Sequence, residues 1–326
     1  MKKLIAILLA GIMVFTFAAC GEKEVAVDET EENEQEVENV ARQPITPSPA
    51  NVIVGDYTLT AEFIPFEIPA IYDESGNPDM DVLGNKVYVS NGGTEVKIYT
   101  LDGSNLTYDK TVSVEDTGDS ISVDENGRIY ADGGVFEATI YDPATNASGE
   151  AVASGELTAS KSTDFALTYF PGRETITVIK DGTASDWTIN GEANLGNFET
   201  VSVIEILGDT VMLAGADSQN NIMGAYDLSG NQLLMSTGCL AGSLPSAITK
   251  TVNGYVVSSV EKMTFVNNEG AIIGEADAEE LFGIPEDTVW IYEMTALPEG
   301  GFLALAQIYK SGVDGDEIVL FKVSGF

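Results

Sequence analysis

The 326-residue chain contains no histidine. That absence excludes Ser-His-Asp and Cys-His nucleophile pairs, histidine-ligated zinc and any imidazole proton shuttle. Arginine occurs three times, as Arg42, Arg128 and Arg173. A sialidase-like arginine triad over a substrate carboxylate cannot be drawn from so few. Tryptophan occurs twice, as Trp187 and Trp290, too few for the repeated tryptophan motifs of quinone-cofactor dehydrogenases. No Walker loop is present. After the first twenty residues, no apolar run reaches the roughly 17–25 residues that a membrane span needs.

Positive charge is scarce: 15 bases stand against 52 acids, a net charge of −37. From Asn51 onward the chain keeps 43 acids and 11 bases, a net of −32, so the excess is not confined to the N-terminal part. A surface this acidic repels nucleic acid and anionic headgroups. It keeps an exposed protein soluble and monomeric, and it leaves cationic ligands and divalent metals open.

Cysteine occurs twice, as Cys20 and Cys239. The chain opens with Met1-Lys2-Lys3 and continues as an apolar run from Leu4 to Ala19, broken only by Gly11 and Thr16. Phe17-Ala18-Ala19-Cys20 follows. A basic start, a short apolar core and small residues at the cut define a secretory signal. With a cysteine directly after them, these residues resemble the lipobox of bacterial lipoproteins, although Phe17 stands where that family usually has leucine. The resemblance implies removal of residues 1–19 and a lipid (diacylglycerol, with acyl chains such as palmitate) on Cys20. It further implies a place on the extracytoplasmic side of a cell membrane. An uncleaved membrane helix is the alternative, with a run at the minimum length. If Cys20 carries lipid, Cys239 is the lone thiol and no intramolecular disulfide forms. Within Thr237-Gly238-Cys239-Leu240 it reads as a small buried residue, with no histidine to activate it.

Residues 20–50 read as a linker. Glu22 to Glu38 carries nine acids, one base and no aromatic residue, a composition that cannot repay the entropy of ordering. Pro44, Pro47 and Pro49 stiffen its end. A spacer that holds a domain off the bilayer and a tolerated low-complexity stretch fit this composition equally.

From Asn51 to Phe326 the sequence is short β-branched and aromatic runs between tight turns. Asn91-Gly92, Asp102-Gly103, Asn126-Gly127, Asp132-Gly133, Asp181-Gly182, Asn190-Gly191, Asn253-Gly254 and Asp314-Gly315 supply the positive φ that hairpins need. Glycines that open an apolar strand fall at Gly84, Gly127, Gly172, Gly208, Gly254 and Gly300, at spacings of 43, 45, 36, 46 and 46. Four-stranded propeller blades repeat at roughly 40–50 residues. The period predicts an all-β fold, a propeller of six blades, with seven blades or a pair of β-sandwiches as alternatives. Gly172 marks the weakest repeat. In period and turn chemistry the region resembles the six-bladed propellers of the NHL and TolB-like type. Tyr57–Ile64 is expected to pair beside Glu317–Val323 and close the ring. Asp277 to Gly283 is expected to form a short helix between blades, capped by Asp277.

Two function classes follow. One is a non-catalytic binding or assembly module at the cell surface, with a protein or glycan partner and no cofactor. The other is a hydrolase working on carboxylates alone, glycosidase-like, or with calcium, lactonase-like. Asp124-Glu125-Asn126-Gly127 is the nearest approach to a calcium loop, and it reads first as a hairpin turn. No catalytic residue can be named from the sequence.

Overall fold

Turn chemistry sets the strand lengths. Leu83 pairs with Lys86 across Gly84 (φ 62°), and Leu207 with Thr210 across Gly208 (φ 59°). Two-residue reversals of this kind need the left-handed conformation that glycine adopts without steric cost. The computed structural model describes residues 46–65, 78–90, 92–114, 120–131, 137–170, 172–180, 183–240, 244–284, 288–309 and 317–326. Among them every element but one is a strand. The signal segment, Cys20 and the acidic stretch lie outside the described residues.

The chain enters through β1 (Val52–Val54) and β2 (Tyr57–Ile64). Five antiparallel four-stranded sheets follow. The first is β3 (Asp79–Leu83), β4 (Lys86–Ser90), β5 (Glu95–Asp102) and β6 (Asn105–Ser113). The second is β7 (Ile121–Val123), β8 (Ile129–Ala131), β9 (Glu137–Asp142) and β10 (Ala147–Ser154). The third is β11 (Glu156–Ala159), β12 (Ala166–Tyr169), β13 (Ile176–Lys180) and β14 (Thr183–Trp187). The fourth is β15 (Thr200–Leu207), β16 (Thr210–Ala216), β17 (Asn221–Asp227) and β18 (Gln232–Thr237). The fifth is β19 (Ala247–Lys250), β20 (Gly254–Ser258), β21 (Lys262–Asn267) and β22 (Ile272–Asp277). After helix α1 (Ala278–Phe282) come β23 (Thr288–Ala296), β24 (Phe302–Tyr309) and β25 (Glu317–Ser324). They form the sixth sheet with β1 and β2, in the order β1-β2-β25-β24-β23.

Strands β3, β7, β11, β15, β19 and β23 each contact the next, and β23 returns to β3. This closed cycle is a six-bladed β-propeller with its first strands around the central channel. The ring closes where the sequence places the closure: Ala61 pairs with Val323 and Phe63 with Phe321. Strand β1 adds a fifth strand outside it, which the sequence pattern did not reveal.

Six apolar cores fill the six seams between blades. Ile64, Met80, Val82 and Val87 meet Leu303, Leu305 and Leu320 between the last blade and the first. The first and second blades meet through Val96, Ile98, Val123 and Ile129. Between the fifth and sixth blades, Phe265, Phe282, Phe302 and Phe321 form the aromatic centre of the seam. The Phe282 and Phe321 rings stack in parallel at 4.1 Å. Among the described residues, the seam between the second and third blades is the smallest: Tyr130, Leu157, Ala159, Ala166 and Ile179, with Ile140 beside them.

Two local expectations are corrected. Gly172 (φ 88°) lies between β12 and β13, one hairpin later than the other five glycines. The third blade makes its first reversal through Ser160–Phe165, which has no glycine. The short spacing from Gly172 to Gly208 follows directly. Helix α1 ends as expected at Gly283 (φ 68°, ψ 43°), but the Asp277 side chain makes no capping bond. Asp277 is the last residue of β22 and faces Lys262 at 3.8 Å instead. Ahead of β1, Ser48 and Ala50 donate backbone N–H groups to the Gly283 and Leu281 carbonyls.

Candidate functional site

Each first strand pairs on one side only, so its other edge would leave backbone N–H groups facing the channel. A buried unpaired N–H costs about 1–3 kcal/mol. On β7, β11 and β15 side chains from the preceding blade meet this need, and on β3 and β23 an acid of the same strand does. Asp79 accepts the Met80 N–H (2.7 Å) through one oxygen and the Ile121 N–H of β7 (2.6 Å) through the other. Asp81 accepts the Val82 N–H (2.6 Å) on Oδ1. Its Oδ2 accepts the Val123 N–H (2.6 Å), the Ser122 hydroxyl (3.2 Å) and the Lys161 ammonium (2.5 Å). Ser122 Oγ accepts the Ala159 N–H of β11 (2.9 Å), and Thr158 Oγ1 accepts the Ile206 N–H of β15 (3.1 Å). Thr158 also donates to Glu205 at 3.3 Å. On β23, Glu293 accepts the N–H of Met294 (2.7 Å). Four links from one blade to the next span 42, 42, 37 and 48 residues, close to the blade repeat, so they form a belt along the first four blades.

The belt gathers Asp79, Asp81, Glu205 and Glu293 around one cation, Lys161. Burial raises Asp79 to about 7, against the pull of its two N–H donors and with a further push from Asp81. Burial also raises Glu205 to about 8; Lys161 opposes this, while Asp81 and Asp79 add to it. Glu293 is held well above the carboxylate range by burial, then by Asp79 and Glu205. Burial works against the Lys161 charge, but Asp81 and Glu205 reverse that and raise it. Lys161, Glu205 and Glu293 keep some exposed surface. Their positions on or beside the first strands turn it to the lumen, where surrounding protein replaces most bulk hydration.

The two mouths of the channel differ. At one, the first hairpins of the first, fourth, fifth and sixth blades converge with Lys161 on a cavity of about 490 Å³. At the opposite end of β23 and β24 lies an exposed aromatic group. Trp290 pairs with Gln307 and Thr288 with Tyr309, so these side chains share one sheet face. Tyr292 is the extra residue of a bulge between Ile291 and Glu293. Bulges re-aim side chains. The Tyr292 ring lies parallel to Trp290 at 5.8 Å, and its hydroxyl donates to Gln307 Oε1 at 2.5 Å. Trp290 is 45% exposed and Tyr309 54%.

The residues singled out from the sequence take ordinary places. Asp124–Gly127 is the β7–β8 turn. Asp124 Oδ1 accepts the Asn126 and Arg128 N–H groups, and Oδ2 pairs with the Arg128 guanidinium at 2.5 Å. Among the described residues, no three acids or cysteines stand close enough together to hold a metal ion. Cys239 is buried in the fourth seam, where burial raises its thiol and Ser236 lies at 3.7 Å. Trp187 is buried, donates to the Leu228 carbonyl (3.0 Å) and meets Tyr226 edge-on. The belt escaped the sequence analysis. Its one legible trace is an acid inside an apolar run three residues before a turn glycine, Asp81 before Gly84 and Glu205 before Gly208.

No protein-family model matches the chain, and no curated protein matches it by sequence. Solved structures match by fold. The WD40 β-propeller domain of Doa1 aligns with a TM-score of 0.50 at 11% identity, over 81% of this chain and 96% of that one. The RRP9 WD40 repeats align at 0.49 and 8%, over 85% and 99%. A chain of the Mitotic Checkpoint Complex aligns at 0.49 and 14%, over 93% and 100%. The class is a six-bladed β-propeller with WD40-like structural neighbours.

Proposed function

We propose that this chain is a non-catalytic binding propeller of the six-bladed NHL/TolB-like type, anchored by a lipid on Cys20 at the extracytoplasmic side of a cell membrane. Its partner is a protein that presents basic side chains to the Trp290 face. The observation that carries the reading is the aromatic group itself. Trp290 and Tyr309 stand exposed at a channel mouth, in a domain of net charge −32. A lysine or arginine over such rings gains cation–π attraction, and the domain's field draws basic surfaces inward. Anchoring is supported by Phe17-Ala18-Ala19-Cys20 and the acidic stretch after it.

A carboxylate hydrolase is the second reading, and the raised Asp79 and Glu205 favour it. Both Asp79 oxygens already accept N–H groups, which suits a cap better than a proton donor to substrate.

A photo-cross-linking residue placed in cells at position 290 tests docking, with position 252 on the other mouth as control. A discrete protein adduct is expected at 290, absent at 252 and weakened by high salt. Equal labelling at both, or adducts to glycan alone, overturns the docking reading. Cys20→Ser tests the anchor: the protein should leave the membrane fraction or remain uncut.

A further inference from the structure

The hairpin-side mouth is built from parts that the docking reading does not use. Its walls are apolar: Val82 and Leu83 from the first blade, Leu207 from the fourth, Val252 from the fifth, Leu297 and Pro298 from the sixth. Val252 is 76% exposed, an uncommon position for a β-branched apolar side chain at a turn tip. Two ammonium groups also line the cavity, Lys161 and Lys250. They are two of only 11 bases from Asn51 onward. Lys250 lies over the Tyr255 ring at 5.6 Å and donates to Thr210 Oγ1 at 3.1 Å. Lys161 is held by Asp81 and by the Ala159 carbonyl at 3.3 Å. An ammonium has three donors, so each nitrogen keeps capacity beyond these contacts. Among the described residues Asp209 is the one acid in the lining, and it is exposed at a turn.

We propose that this mouth binds a small amphiphilic anion, a carboxylate or sulfonate on an apolar body, from solution. About 490 Å³ is the size of a small-molecule site, and such sites combine apolar walls with a few placed polar groups. The apolar body fills the funnel between Leu83, Leu207, Val252 and Leu297, and the anion meets Lys250, with Lys161 behind it. The domain's net negative charge acts at long range and is screened beyond about 8 Å at physiological salt. Inside the funnel the Lys250 ammonium sets the sign, since Lys161 is already paired with Asp81. An anionic bilayer meets the domain's net charge of −32 before any headgroup reaches the funnel.

The test uses 8-anilinonaphthalene-1-sulfonate as the probe and N-phenyl-1-naphthylamine as its uncharged counterpart, with fluorescence titration of the folded chain. The sulfonate is expected to bind at one site per chain and more tightly than the amine. Lys250→Ala should weaken the sulfonate about ten-fold, the size of one charged contact, and leave the amine within about two-fold. Val252→Asp should weaken both. Octanoate should displace the sulfonate, while octanol at equal concentration and phosphatidylglycerol vesicles should not. Trp290→Ala should change neither probe, which separates this site from the docking face. Equal affinity for the two probes, an unaffected Lys250→Ala protein, displacement by vesicles alone, or loss through Trp290→Ala overturns the proposal.

Discussion

Asp81 holds four groups in one place. Its carboxylate takes two backbone N–H groups, a serine hydroxyl and the Lys161 ammonium, and so ties the first blade to the second and third. Both partners of the ion pair are largely buried, with side chains 5% and 14% exposed. Removing one partner strands the other charge, at a cost of about 3–5 kcal/mol, whereas replacing both by apolar groups is often neutral. Asp81→Ala should therefore lower unfolding stability by about that amount in urea titration. Asp81→Leu with Lys161→Met should recover the part due to the stranded charge and retain the cost of the uncapped Val82 and Val123 N–H groups. A double variant no better than the single one would show that the N–H caps, not the ion pair, carry the effect. At this scale the sequence was readable only where chemistry is local. Asp124 and Cys239 sit as their neighbours indicate. Belt positions are filled by aspartate on β3, serine on β7, threonine on β11 and glutamate on β15 and β23, so no single residue type marks every blade.

At the scale of elements, the propeller was legible because its hairpins are made by neighbouring residues. Five of the six glycines lie at equivalent first reversals, and the sixth misled only because the third blade turns through Ser160–Phe165 without glycine. Strand β1 was hidden for a different reason. Three residues carry too little alternation, and Val52 and Val54 gain their burial from the seam between the last two blades rather than from a hairpin pattern. Closure was legible because β2 has strand composition and no partner nearby in sequence. That closure has a measurable consequence. Without β2, β25 becomes an exposed edge, and such edges template association. A soluble chain starting at residue 65 should melt lower than one starting at residue 46 and should self-associate in light scattering after gel filtration. A monomer of unchanged melting temperature would mean that the six seams hold the ring without its clasp.

For the whole molecule, charge and burial combine into one pH dependence. Folding raises Asp79 from 3.8 to about 7 and Glu205 from 4.5 to about 8, and it raises Glu293 as well. Between those limits the native state holds protons that the unfolded chain has released. The stability tied to these groups is complete below the unfolded values and is lost as pH rises through 7 to 8. Repulsion among 52 acids acts in the same direction. The opposite term comes from surface acids. Asp109 is lowered by the Lys86 bond, Asp142 by the Ala144 N–H, Asp217 by the Gln219 N–H, Asp227 by the Asn231 side chain and Glu299 by Lys322. Their contribution is present above the unfolded carboxylate range and disappears as pH falls through the folded values. Stability should therefore peak at mildly acidic pH. The melting temperature at pH 9 should lie roughly 5–10 °C below that at pH 5. Glu205→Gln separates the two causes. If the belt is responsible, this variant flattens the fall between pH 4.5 and about 8 and leaves the acid limb unchanged. If overall repulsion is responsible, the variant runs parallel to the wild type, and added salt flattens both equally.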